Sequence, residues 1–179
     1  MTTRLTVDAT ASTVRVHTRA TGVLARLAHD LELTARGLRG EASDQGSTWT
    51  AELTIPVAQL RVAGTLRGDR LDPNALSSAD RAEIERKLQA EVLGRDEVLV
   101  KASGTDRDAG QAEVTVRGRS APAHLALRVT EQGQGLRVQG ETELRLSALG
   151  IAEIRGPLGA FKVKDEVRVL FDLVLAPAD

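Results

Sequence analysis

Apolar or small residues alternate one by one with charged or amide residues between Leu136 and Leu146. Successive side chains of a β-strand point to opposite faces, so this segment predicts a strand with one dry face and one wet face. Shorter runs of the same alternation are centred on Leu53, Val114, Leu127 and Phe171. The chain therefore encodes a sheet that is apolar on one face. That face must be buried, either by closure of the sheet on itself or by packing on a second sheet.

The alternation and the turn residues between runs predict eight strands. They cover residues 12–19, 30–41, 47–55, 96–104, 111–118, 122–130, 135–147 and 165–176. The links between the later strands contain the glycine or proline that tight hairpin turns require, at 106–110, 118–122 and 131–135. Consecutive strands are therefore expected to pair antiparallel as a meander.

One segment follows a helical period instead. Residues Ser77–Asp80 resemble a capping box. Apolar residues follow at i, i+4 and i+8, namely Ile84, Leu88 and Val92. This pattern predicts one amphipathic helix over about 77–93, inserted midway through the meander. Such a helix would cover an open end of a barrel or the seam between two sheets.

The composition narrows the functional classes. The chain has 179 residues, of which 41% are hydrophobic, which is enough for a single domain over residues 1–179. It has no cysteine and a formal net charge of -1, which argues against disulfides, nucleic acid and anionic membranes. No stretch approaches the roughly 20 apolar residues of a membrane span. We therefore expect a cytoplasmic protein without a transmembrane segment, or an exported one if a signal peptide was removed.

The residues that most often carry chemistry show no recognisable motif. The histidines lack metal-ligand spacing, and no nucleotide-binding loop or nucleophile elbow is present. The sequence therefore predicts no metal, no cofactor and no catalytic residue. His17 and His124 fall on the polar positions of their strands and are predicted to be solvated at the surface.

His29 and Asp30 lie where a predicted short helical turn at 22–28 meets the next strand. One interpretation places the His29 imidazole at the rim of a barrel, where it would hydrogen-bond the polar head of a ligand. In that case Asp30 either lies beside the imidazole or competes with it for the same hydrogen-bond donor. The other interpretation, which we favour, is that either side chain satisfies backbone groups left open at the helix end.

Three further features each allow two interpretations. Trp49 shares the apolar register of its strand, which favours a buried core residue over a stacking platform. The apolar loop 156–161 is either a mobile lid with Phe161 at an entrance or a turn packed on the core. A predicted loop contains three basic residues that are either solvated or able to meet a phosphate: Arg61, Arg67 and Arg70.

Four segments of this chain resemble the YceI-like family of polyisoprenoid-binding proteins. They are Val114–Leu127, Leu144–Ile151, Lys164–Val169 and Glu91–Ser103. Their order and spacing carry the likeness, which extends over roughly residues 10–176. The chain departs from the family pattern at Lys164, where the family has glycine, and at Leu93–Glu97, where it has an aromatic-rich segment.

The resemblance implies an all-β fold, an eight-stranded antiparallel lipocalin-like barrel, and a role in lipid binding without catalytic residues. The chain has very few aromatic residues to fill such a barrel: Trp49, Phe161 and Phe171. We therefore expect an apolar interior able to hold a hydrocarbon tail. The predicted lining is Val14, Val16, Leu31, Leu33, Leu53, Ile55, Val114, Val116, Leu125, Leu127, Leu144, Leu146, Val169, Phe171 and Leu173, with His29 and Phe161 at the rim or gate.

The resulting hypothesis is a non-enzymatic protein that binds, sequesters or transports a long-chain amphiphile, an isoprenoid or related lipid. Two alternatives stay open. One is a small-molecule enzyme of the same shape that uses His29 for acid/base chemistry. The other is an interaction module with a packed interior whose loops or edges bind protein. The sequence is also compatible with a homodimer.

Overall fold

The computed structural model describes residues 2–24 and 28–178 and is an all-β closed barrel of eight antiparallel strand positions. The strands are β1 (Thr3–Val7), β2 (Thr13–Thr18), β3 (Ala20–Thr21), β4 (Asp30–Ala35), β5 (Arg39–Asp44), β6 (Trp49–Pro56), β7 (Leu60–Arg67), β8 (Arg70–Asp72), β9 (Glu97–Gly104), β10 (Ala109–Val116), β11 (Arg119–Gln132), β12 (Gly135–Arg145), β13 (Lys162–Val163) and β14 (Glu166–Pro177). Helix α1 (Ser78–Lys87) continues as a π-helical turn over Leu88–Val92. The predicted fold class is confirmed.

Three of the eight strand positions are long strands with a bend: β1 with β2, β4 with β5, and β6 with β7. They pair in chain order and are followed by β9, β10, β11, β12 and β14. Strand β14 pairs with β12 along one edge and with both β1 and β2 along the other, which closes the barrel. The bends lie side by side at residues 8–12, 36–38 and 57–59. Leu38, in the bend at 36–38, is fully buried and belongs to the same core cluster as Leu33 and Leu60.

One predicted loop is in fact two strands. The loop predicted around Arg61, Arg67 and Arg70 is wrong, because β7 and β8 occupy that segment. Leu60 and Val62 are buried on β7, whereas Arg61 and Arg67 are exposed on it. The register of β7 against β4 shifts between Val62 and Gly64, and residues 64–66 are all buried, so the two-residue alternation is interrupted in the middle of this strand. Strand β1 also lies outside the predicted strands, and one predicted strand is divided into β4 and β5.

His17 is buried, which contradicts its predicted solvation. His17 and Glu32 are each only 5% exposed and face each other across β2 and β4. His17 Nε2 lies 2.8 Å from Glu32 Oε2, so one hydrogen bond joins the two buried side chains. The Nδ1 atom has no hydrogen-bond partner among the residues that the structure describes. His124 is exposed on β11, as predicted.

Helix α1 begins at the predicted cap and lies along the barrel. Ser77 Oγ accepts a hydrogen bond from the Asp80 N–H at 3.1 Å, which satisfies one of the free donors of the first turn. Ile84 and Leu88 are half-buried against the core cluster of the barrel. Within residues 2–24 and 28–178, no helix meets the length and hydrophobicity that a membrane span requires.

Two charged side chains of α1 take the place of a strand beside β7. On the side of β7 that faces away from β4, strand β8 pairs only with residues 65–67. Next to it, Arg81 Nη1 donates to the carbonyl oxygens of Val62 (2.7 Å) and Ala63 (3.0 Å). Glu85 Oε1 accepts the Val62 N–H at 2.9 Å. The helix therefore satisfies backbone groups of β7 that a barrel strand would otherwise pair.

The double variant Arg81→Ala/Glu85→Ala is expected to lower the free energy of unfolding by about 2 kcal/mol, because it leaves buried backbone groups of β7 unpaired. A matched control on the same helix is Glu83→Ala/Lys87→Ala, which removes an exposed i, i+4 ion pair with an N–O distance of 3.5 Å. That control should cost less than about 0.5 kcal/mol. Urea unfolding of both variants measures the difference, and equal losses would contradict the role given to Arg81 and Glu85.

Candidate ligand-binding cavity

A cavity of about 820 Å³ extends along the inside of the barrel. This volume lies within the range of about 300–1,000 Å³ that is typical of small-molecule sites. The wall consists mainly of inward residues of the strands, because the alternation along each strand directs Val, Leu, Ile and Ala into the barrel. The interior is therefore a largely apolar space that the side chains leave unfilled.

Every residue that the sequence analysis names as lining, rim or gate is located at the wall of this cavity. Whether these residues bind a ligand stays a prediction. Several other wall residues are absent from the predicted lining, and they lie on β1, at the start of β7 and the bend before it, and on or just after the helical segment: Leu5, Val7, Val57, Leu60, Ile84, Leu88 and Leu93. The alternation of β1 and the apolar stripe of α1 are the sequence signals that identify most of them.

One end of the barrel is bounded by short hairpin turns at 45–48, 105–108 and 133–134, and we call it the turn end. Trp49 lies there, half-buried at the cavity wall. Its Nε1 donates to the carbonyl oxygen of Asp106 at 2.7 Å. Trp49 is therefore neither a fully buried core residue nor a free stacking platform.

The opposite end carries the long connections at 19–29, 73–96 and 146–165, and we call it the loop end. His29 is exposed there and contributes to the cavity wall. Asp30 accepts hydrogen bonds from the Ala20 N–H at 2.8 Å and from Arg19 Nη1 at 3.0 Å. These contacts favour a structural role for Asp30. The helical turn predicted at 22–28 lies partly outside the described residues.

The apolar loop at 156–161 is a hydrogen-bonded turn at the loop end. The Gly156 N–H donates to the Phe161 carbonyl at 2.9 Å, and the Phe161 ring lies directly over Gly156. The following strand β13 pairs with β3, so this loop is joined to the connection that follows β2, the barrel neighbour of β14. Phe161 is half-buried and faces the cavity, whereas Leu158 is fully exposed.

Glu153 forms ion pairs with both Lys162 and Arg155 beside this turn. Glu153 Oε2 lies 2.9 Å from Lys162 Nζ, and Glu153 Oε1 lies 2.6 Å from Arg155 Nε. The hydrogen bonds from Lys162 and Arg155 hold the pKa of Glu153 below its ordinary value. The carboxylate therefore stays ionised at neutral pH and links the two sides of the hairpin.

Segments that are distant in the sequence meet at the loop end. Asp165 accepts hydrogen bonds from the Ser147 N–H at 2.8 Å and from the Ser147 hydroxyl at 2.7 Å. The side chain of Arg119 crosses over Gly150, which has no side chain to obstruct it. Three of the four segments that carry the family resemblance therefore contact one another here.

The link between Ser147 and Asp165 is expected to depend on pH. The hydrogen bond from the Ser147 hydroxyl, followed by that from its N–H, lowers the pKa of Asp165 from its ordinary value of 3.8. A lowered carboxylate pKa stabilises the fold fully above the unfolded value, and this contribution is lost as the pH falls through the folded pKa. The NMR shift of the Ser147 amide should therefore be constant from neutral pH down to about pH 4 and change below it. Asp165→Asn should abolish the transition, and an unchanged transition in that variant would contradict the assignment.

Comparisons with known proteins agree with this architecture. The family model described as a YceI-like domain matches residues 5–175. Among solved structures, the crystal structure of Burkholderia cenocepacia BcnA is similar to this chain with a TM-score of 0.66 and 15% sequence identity. The match covers 94% of this chain and 98% of that one. At this identity the likeness to BcnA shows the fold alone. No curated protein matches this sequence.

Proposed function

Because this chain belongs to the YceI-like domain family, we propose that it binds a long-chain apolar molecule, an isoprenoid or related lipid, inside its barrel. It then carries or sequesters that molecule without changing it chemically. The observation that carries this proposal is the cavity of about 820 Å³ with a largely apolar wall. A closed barrel of eight strands can hold one small ligand when its side chains do not fill the interior.

The wall can supply the required binding energy without a charged anchor. Each CH₂ group that leaves water for the apolar interior contributes about 0.8 kcal/mol. A chain of about ten carbons therefore gains about 8 kcal/mol, which is comparable with the cost of about 4–15 kcal/mol for immobilising a ligand. Chains longer than about ten carbons are therefore favoured over short ones.

The side chains near the entrance support binding rather than catalysis. His29 is exposed, and its sequence neighbour Asp30 is already engaged with Arg19 and the Ala20 N–H. The YceI-like family is generally one of binding proteins. The alternative of a packed interaction module requires an interior without a cavity, and the cavity of this barrel argues against it.

Extraction of the purified protein with organic solvent, followed by mass spectrometry, tests this proposal. We expect a co-purified chain-like lipid, and delipidated protein should take up one molecule of geranylgeraniol in native mass spectrometry. An extract without lipid, together with no uptake of geranylgeraniol or of a fatty acid, would overturn the proposal. The cytoplasmic location and the homodimer stay predictions, which cell fractionation and sedimentation test.

A further inference from the structure

One side of the turn end of the barrel, formed by β5, β6, β9 and β10, is lined by small side chains. Apart from Trp49 itself, the inward residues of β6, β9 and β10 near this end are alanine or glycine, and alanine also lies beside them on β5: Ala42, Ala51, Ala102, Gly104, Gly110 and Ala112. Toward the loop end the inward residues of the same strands are branched: Leu53, Ile55, Val98, Val100, Val114 and Val116. The small residues therefore leave room for one large side chain on this side of the turn end.

Trp49 occupies that space. A Cβ atom added at Gly104 would lie 2.7 Å from Trp49 Cε2 and Cζ2, and one added at Gly110 would lie 2.5 Å from Cζ2. Gly104 is on β9, which neighbours β6, and Gly110 is on β10, one strand further. The indole therefore extends from β6 across the inner surface of two further strands, a span of roughly 10 Å.

The position of the indole is fixed by the turn at 105–108. The hydrogen bond from Trp49 Nε1 to the Asp106 carbonyl ties it to the turn at 105–108. Arg107 Nη2 also contacts Asp44 Oδ2 at 2.7 Å, so a second link joins this turn to the end of β5. An indole that is attached to β6 and also held by the hydrogen bond of its Nε1 has little freedom to move aside.

The loop end, in contrast, presents large apolar side chains to the cavity. Its long connections contribute apolar wall residues such as Ile151, Ile154 and Phe161. The Phe171 ring, at mid-barrel, lies against Gly140 and so reaches across one neighbouring strand, β12, whereas the indole of Trp49 reaches across two. A chain that enters at the loop end can therefore pass Phe171 and advance until it meets the indole.

We propose that Trp49 is the barrier at the turn end that sets the longest apolar chain the barrel accepts. The chain enters at the loop end, and its terminal carbons contact the indole. This inference rests on the proposed function and adds to it a residue that determines specificity. It assigns the polar head of the ligand to the loop end.

A series of prenols of increasing length tests this assignment. In the unmodified protein, affinity should rise from farnesol to longer polyprenols up to a limiting length and then fall. Trp49→Ala should bind the first excluded length at least tenfold more tightly, and Trp49→Phe should show a smaller gain. Leu99→Ala, on the outer face of β9, serves as the control and should leave the limit unchanged. A limit that is the same in Trp49→Ala and in the unmodified protein would overturn the assignment.

A second measurement needs no variant. Trp49 is the chain's single tryptophan and the chain has no tyrosine, so the intrinsic emission comes from this position. A fatty acid brominated at its terminal carbons should quench this emission more strongly than one brominated near the carboxylate. The reverse order would overturn the orientation. Failure of every chain to bind would overturn the proposed function itself, whereas binding with the wrong order overturns only the role of Trp49.

Discussion

Val100→Trp is expected to lower the affinity for geranylgeraniol at least tenfold while leaving the barrel folded. Val100 is half-buried on β9, points inward and lines the cavity. An indole at this position takes up space that the ligand needs, and because Val100 borders the cavity the larger side chain can extend into it, which limits overpacking strain. A tenfold loss corresponds to about 1.4 kcal/mol of binding free energy. Retention of the prenol during gel filtration, with thermal unfolding as a check on folding, measures both effects.

The matched control for Val100→Trp is the same substitution at the adjacent residue of the strand. Leu99 is 45% exposed and points away from the cavity, because successive strand residues face opposite sides. Leu99→Trp therefore adds the same side chain outside the barrel and should leave prenol uptake unchanged. Equal losses in the two variants would show that uptake does not occur in the interior.

Glu32→Ala is expected to destabilise the barrel by about 3 kcal/mol, the range of a buried partner left unpaired. The substitution removes the hydrogen bond between Glu32 Oε2 and His17 Nε2, and the other ring nitrogen already lacks a partner among the described residues. The buried imidazole would then have no hydrogen bond to replace the water it lost on folding. Urea unfolding monitored by circular dichroism measures this loss.

The double variant His17→Leu/Glu32→Leu distinguishes the effect of the unpaired imidazole from the effect of packing around these two positions. Replacement of both buried polar partners by apolar residues of similar size is often neutral or stabilising. We therefore expect this variant to recover most of the stability that Glu32→Ala loses. If the double variant unfolds as easily as Glu32→Ala, the loss arises from packing around these positions rather than from the unpaired imidazole.

The regular parts of the fold follow directly from local sequence patterns. Alternation identifies the inward face of each long strand, so the predicted wall residues, from Val14 on β2 to Leu173 on β14, all lie at the cavity wall. Helix α1 follows from a cap and an apolar stripe within a few residues of each other. In each case the deciding interaction joins residues that are close together in the sequence, so the local pattern is enough to predict the element.

The remaining features depend on contacts between distant segments. His17 sits on a polar position of β2, and only its pairing with Glu32 on β4 explains why it is buried. The orientation of Trp49 depends on Gly104 and Gly110, which lie more than 50 residues further along the chain. The volume of the cavity depends on how all the strands close together. Such contacts leave no local periodicity, so they become visible only in the folded barrel.

Titration of the delipidated protein with geranylgeraniol, followed through the emission of Trp49, shows whether the barrel takes up a prenol. If the barrel interior binds an apolar chain, the emission should change saturably and reach its end point at one equivalent. Val100→Trp should lose the one-equivalent uptake in native mass spectrometry of the same samples. An emission that stays constant up to the solubility limit of the prenol, with no bound species in the mass spectrum, would contradict the binding of an apolar chain inside the barrel.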